Sequence, residues 1–203
     1  MIIGQHPFYQ KWKQTASAYW KKRRFLKIMS LLNLSPNQKM KILEVGCANG
    51  KDFIQFLGDT TFDIWAVDIN FYEFEQKNVR FQIADAANLP FADQSFDLVV
   101  SIGLLEHIEP MEKLCSVIQE FERVGKHQAS VVPSISTFLE PHTGQLFFPF
   151  RLHKKLFSKQ IAYPLHLNYF TEHTWTKFEG FYGCNVAKIF YFPPFIKNTV
   201  IYK

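Results

Sequence analysis

The stretch from Lys39 to Asp68 constrains this chain more than any other. Met40-Lys-Ile-Leu-Glu-Val is a short run rich in branched apolar residues that stops at Gly46, the pattern of a buried parallel strand entering a tight turn. Gly46 and Gly50 flank Cys47-Ala-Asn, so the backbone can take positive φ values and approach a ligand without a Cβ in the way. Asn49 is placed to cap a helix expected to run to about Leu57, whose first N–H groups and partial positive charge would face the turn. A second strand, Phe62 to Val67, ends in Asp68, 24 residues after Glu44. A carboxylate there can accept from both hydroxyls of a ribose. The spacing fits one nucleoside lying across two strand ends.

The turn is not a dinucleotide fingerprint. That fingerprint places its glycines at a one-two spacing, with the third where this chain has Lys51. Here the pattern is Gly-x-Ala-x-Gly, with Glu44 two residues ahead of the first glycine.

Downstream the β/α rhythm continues. A third strand is expected at Val79 to Ala84, preceded by a short helix at Phe71 to Gln76, and a fourth at Phe96 to Ser101. Met111 to Gly125 carries Leu114, Cys115, Ile118, Phe121 and Val124 at helical spacing, and Gln128 to Pro133 reads as a fifth strand. Such alternation implies right-handed crossovers, a parallel sheet and ligand binding at the carboxyl ends of its strands. Residues 134–169 break the rhythm with Pro141, Pro149 and Pro164 and read as an insertion ahead of the last helix, at the ligand-binding end of the sheet. Thr171 or Glu172 starts a further helix that ends near Gly180 or Gly183, followed by a strand from Cys184 to Phe192.

Glu44-Val-Gly-Cys-Ala-Asn-Gly, Asp68, Ala84-Asp85-Ala-Ala-Asn-Leu-Pro-Phe, Ser95-Phe-Asp-Leu-Val-Val-Ser and Leu105-Glu-His-Ile follow one another in order. Together they resemble the class I S-adenosylmethionine-dependent methyltransferases, particularly the small-molecule branch that includes the quinone-pathway enzymes. The resemblance covers roughly Lys39 to Pro133 and departs at Ala48, where the family most often has its middle glycine. It implies a Rossmann-like, doubly wound α/β sheet of about seven strands, mostly parallel, with helices on both faces. The last strand, Thr199 to Tyr202, would be antiparallel. It also implies cofactor contacts. Glu44, Gly46, Cys47 and Gly50 would form the turn around the methionine end, Asp68 would take the ribose hydroxyls, and Ile69 the adenine face. Asp85 would accept from the exocyclic amine, the Ala86 backbone would address the ring, and Ser101 to Leu104, Gly103 included, would line the methionine part.

At 203 residues and 47% hydrophobic content, residues 1–203 are expected to form one methyltransferase domain. The net charge of +5 is uneven: residues 1–39 hold eight Lys or Arg and no acid, against fifteen basic and eighteen acidic residues in 40–203. Residues 1–38 therefore read as a basic helical extension, whose Tyr19, Trp20, Phe25, Ile28, Leu31 and Leu32 recur at helical spacing and would dock on the body. The run Lys21-Lys-Arg-Arg could instead approach nucleic acid or an anionic membrane. Cys47, Cys115 and Cys184 are too few and too scattered for a disulfide framework, and Met1-Ile-Ile-Gly-Gln-His-Pro holds no apolar run, so a cytoplasmic protein is expected. No His/Asp/Glu cluster stands at metal-ligand spacing.

A sulfonium cofactor is already an activated methyl donor, so in-line transfer needs mainly positioning and desolvation. A hydroxyl, phenol or carbon acceptor can also need a base, for which His107, His142 and His166 are the candidates. The expected reaction is methyl transfer to a small or lipid-like acceptor. The alternatives are RNA or protein methylation using the basic arm, and a cofactor-binding partner subunit without turnover.

Overall fold

The computed structural model describes residues 7–35, 38–57, 61–73, 78–134, 168, 170–191 and 196–203. They build a seven-stranded sheet from β1 (Lys41–Val45), β2 (Asp63–Asp68), β3 (Val79–Ile83), β4 (Phe96–Ile102), β5 (Gly125–Pro133), β6 (Asn185–Tyr191) and β7 (Ile196–Tyr202). The order is β3-β2-β1-β4-β5-β7-β6. The first five strands pair in parallel, and β7 runs antiparallel to both β5 and β6. Strand order reverses between β1 and β4, which opens a crevice beyond their carboxyl ends, the place where doubly wound sheets bind ligands.

Alternation along each strand sorts the core into two layers. Ile42, Ile64, Leu98, Val100 and Ala129 face one side, where α1 (Pro7–Leu31) lays down Phe25, Ile28 and Met29, with Leu32 just past its end. Leu43, Val45, Val67, Val99 and Val132 face the other, against Leu114, Val117, Ile118, Phe121 and Val124 of α2 (Met111–Val124). Central strands with both faces covered read as unbroken apolar runs, which is how β1 and β4 looked in the sequence. Arg123 of α2 gathers the loop after β3, reaching the Leu89 and Phe91 carbonyls and the carboxylates of Asp93 and Glu120.

The basic extension docks through one face. Arg24 is buried and donates from Nη2 to Asp52 Oδ1 at 2.6 Å and to the Asp52 carbonyl at 3.0 Å, while Lys21 lies 3.4 Å from the same carboxylate. Phe25 meets Phe53 edge-on at 5.2 Å. Tyr19, expected to dock, stays 56% exposed. The helix ends at Leu31: Asn33 takes φ +54° and the Leu34 N–H turns back to the Met29 carbonyl.

Three elements differ from expectation. The helix expected after Asn49 is a series of turns with a single 3₁₀ turn at Ile54–Phe56, because Glu44 captures the Ile54 N–H and Arg24 holds Asp52. Phe71–Glu73 carry no helix, and residues 74–77 lie outside the described set. The helix after Thr171 is one turn, α3 (Glu172–Trp175), capped by the Thr171 hydroxyl accepting from Thr174 N–H. Trp175 then packs with Phe170, Phe178 and Phe181, and that aromatic cluster sets the path of the chain. At the other junction α2 passes into β5 without a loop, since Gly125 has extended dihedrals rather than a left-handed cap. The insertion at 134–169 falls outside the described residues except for Ser134 and Asn168.

Gly180 works by closeness rather than by ending a helix. A Cβ there would lie 2.6 Å from the Ile118 carbonyl oxygen, backbone that cannot turn aside. Gly180→Ala should therefore cost about 1–3 kcal/mol in urea unfolding; an unchanged midpoint would mean that the α2 contact is looser than described.

Candidate functional site

The site is assembled at the carboxyl ends of β1, β2, β3 and β4. After Val45 the backbone turns at Gly46 (φ +71°), and both Gly46 and Cys47 donate to the Val67 carbonyl, at 2.8 and 3.2 Å. That pair of bonds ties the turn to the end of β2. Ala48 adopts φ +45° and Gly50 φ +70°, so the alanine occupies a left-handed conformation at a cost on the order of 1 kcal/mol. Gly46 cannot be replaced freely: a Cβ would come within 2.9 Å of Leu104 Cδ1.

Beneath the turn lies Glu44, 1% exposed, with Oε2 accepting the Ile54 N–H at 3.2 Å. Burial pushes its carboxyl up to about 8, with Asp52 adding to the rise while the Ile54 bond, Arg24 and Lys21 oppose it. The carboxyl therefore holds the turn from inside. Asp52 is the counterpart nearer the surface: burial raises it, but Arg24 and Lys21 outweigh that and hold it below the usual carboxylate range. Cys47 is buried, its thiol pushed up by burial and by Glu44 and Asp68, so it packs rather than reacts.

Asp68 ends β2 with one oxygen accepting from Ala48 N–H and the other from Asn70 N–H, each at 3.0 Å. Asp85 accepts from Ala87 N–H at 3.0 Å through Oδ1 and pairs with Lys113 Nζ at 2.7 Å through Oδ2. The Ala87 bond and Lys113 hold this carboxyl below its ordinary value. Between the two aspartates opens a cleft with a cavity volume of about 80 Å³. Val45, Gly46 and Val67 line one part of it, and Ile69, Ala84 and Ala86 another. Leu104, Ile108 and Lys113 complete the wall.

Of the residues singled out in the sequence, the cleft brings together Gly46, Asp68, Ile69, Asp85, Ala86 and Leu104. Glu44, Cys47 and Gly50 shape the turn from behind. Ser101 is buried and its hydroxyl meets Ser130 at 3.2 Å inside the sheet, away from the cleft wall. Gly103 takes φ +69° next to Leu104, and the exposed His107 closes the 3₁₀ turn Leu105–His107 outside the lining. His142 and His166 lie outside the described residues. Lys113 is a lining residue that the sequence did not announce, and Ile108 stood there only as the end of the Leu105-Glu-His-Ile motif; a lysine in the first turn of a helix, where the dipole disfavours a cation, was the available signal.

Residues 19–187 match the family described as "Methyltransferase domain", and the chain belongs to that family. Among curated relatives, an O-methyltransferase of Penicillium expansum, cnsE, is 32% identical over 105 residues, covering 46% of this chain and 38% of its own. The chain spans less than half the length of that relative. Among solved structures, a magnesium protoporphyrin IX methyltransferase of Synechocystis PCC 6803, with bound S-adenosylhomocysteine, superposes at TM-score 0.62 and 18% identity over 98% of this chain and 88% of its own. A 1,6-didemethyltoxoflavin-N1-methyltransferase of Burkholderia thailandensis gives TM-score 0.61 at 14% identity over 98% and 82%. These two share the Rossmann-like fold.

The buried Glu44 sets a pH dependence. Its folded value near 8 lies above the ordinary 4.5, so the folded chain keeps a proton that the unfolded chain releases. Stability from this group is complete below about pH 4.5 and drains as pH rises toward 8. Glu44→Gln keeps the acceptor for Ile54 and should flatten urea-unfolding midpoints across that window, gaining on the order of 1 kcal/mol or more at its upper end. Parallel profiles for the two proteins would show that Glu44 does not hold the proton.

Proposed function

We propose that this chain transfers a methyl group from S-adenosylmethionine to a small or lipid-like acceptor. The observation that carries the reading is the pair Asp68 and Asp85 lining one cleft with Gly46, where a Cβ would run into Leu104. These residues fit the cofactor. Asp68 would accept from the ribose hydroxyls, Asp85 from the adenine amine, and Gly46 would admit the methionine part. When bound, the cofactor supplies an activated methyl on sulfur. The chain's contribution is to fix the donor and keep water from it, with Val45, Val67, Leu104 and Ile108 as the apolar wall. His107, His142 and His166 remain proposed acceptor-side bases.

Two features favour a small acceptor over nucleic acid. Lys21 and Arg24, half of the basic run, are engaged by Asp52 and serve docking. The segment at the end of β4, Ser101-Ile-Gly-Leu, lacks the Asn/Asp-Pro-Pro-aromatic pattern common in enzymes acting on base amino groups. The quinone-pathway resemblance sets where a substrate screen begins: quinones, phenols and lipids. Three free cysteines suit a reducing compartment, and the reading places the chain in the cytoplasm. No helix among the described residues is long and apolar enough to cross a membrane.

Incubating the chain with labelled cofactor and an extract should place label in the small-molecule or lipid fraction. Label confined to RNA or protein would overturn the acceptor class. In the same preparation, Asp68→Ala should weaken cofactor binding by about 1–3 kcal/mol, the scale of a hydrogen bond to a charged group; an unaltered affinity would remove Asp68 from the ribose.

A further inference from the structure

Lys113 sits in the first turn of α2, where a cation opposes the helix dipole and local preference favours an acid. Its placement answers to Asp85, whose Oδ2 it reaches at 2.7 Å, and its side chain forms part of the cleft wall beside Ala84, Ala86 and Ile108. The Ala87 N–H fixes the other Asp85 oxygen, so the carboxylate cannot rotate away from the lysine without losing a bond. The two side chains thus present an acceptor and a donor side by side, a third to a half exposed, at the mouth of the cleft.

Adenine offers the complementary pair on one edge: the exocyclic N6–H donor next to the N7 acceptor, the edge that a side-chain amide reads in two-pronged fashion. A carboxylate and an ammonium held together imitate that amide. Asp85 takes only one of the three ammonium protons, which leaves donors for a second partner. The inference rests on the cofactor reading above, in which Asp85 accepts from the adenine amine. We propose that Lys113 is an adenine-reading residue, donating to N7 while Asp85 accepts from N6–H. The pair would then discriminate between purines, because guanine presents acceptors at both positions and would set its O6 against the Asp85 carboxylate.

The test is calorimetric titration of the full chain with S-adenosylhomocysteine and with its 7-deaza analogue, in which N7 is replaced by C–H. Wild type should bind the analogue about tenfold or more weakly, the scale of losing a charge-assisted hydrogen bond. Lys113→Met should bind both ligands alike, and more weakly than wild type binds the natural one. Lys113→Arg, which keeps a donor, should restore part of the discrimination. Lys113 is partly exposed, and circular dichroism of each variant checks that the fold persists. Equal binding of both ligands by wild type overturns the proposal, as does discrimination that survives in Lys113→Met. In either case S-adenosylhomocysteine still binds and the cofactor reading stands. Failure of wild type to bind either ligand overturns that reading and this proposal with it.

Discussion

The hydrogen bond from the Ile54 N–H to the buried Glu44 carboxyl is the contact on which the rest of the site depends. A turn that carries three left-handed residues, Gly46, Ala48 and Gly50, has little internal structure to hold it. In the absence of a long helix after Gly50, support comes from below, through an acid placed two residues before the first glycine. Leaving an N–H unsatisfied there would cost about 1–3 kcal/mol, comparable with the strain the turn carries. Protonated, Glu44 meets this need without bringing an unpaired charge into the core.

From that contact the constraint spreads outward. Asp52 lies in the same segment and engages Arg24, while Phe53 engages Phe25, so α1 holds the glycine turn from its outer side. In the other direction the Gly46 and Cys47 amides grip the Val67 carbonyl, and Asp68 returns a bond to Ala48. One strand end, one turn and one extension therefore form a single mechanical unit. The cleft's far wall is independent of it. There Arg123 anchors the loop after β3 on α2, and Lys113 fixes Asp85, so the two aspartates are positioned by different elements.

What the sequence made legible follows the range of the interactions. The strands and the carboxylates at their ends are local patterns, apolar runs stopped by Gly46, Asp68 and Ala84-Asp85, and they stand where the pattern put them. The antiparallel last strand was also right in direction, although it begins at Ile196 rather than Thr199. Lys51 to Leu57 misled because its local propensity is helical, whereas Glu44 and Arg24 reach it from other elements and override that preference. Lys113 was not read as a site residue for the same reason: its partner Asp85 lies 28 residues away, and no spacing rule links a helix's first turn to a loop on the far side of β4. Ser101 shows the converse, a residue at the right strand end whose side chain faces into the sheet toward Ser130.

The central claim is that the turn from Gly46 to Gly50 and the two aspartates form a site for a sulfonium nucleoside. Calorimetric titration of the purified chain with S-adenosylmethionine and, separately, with S-adenosylhomocysteine tests it most directly. Micromolar binding of both, one ligand per chain, is the predicted result. No heat with either ligand, from a chain whose circular dichroism shows it folded, would contradict the account.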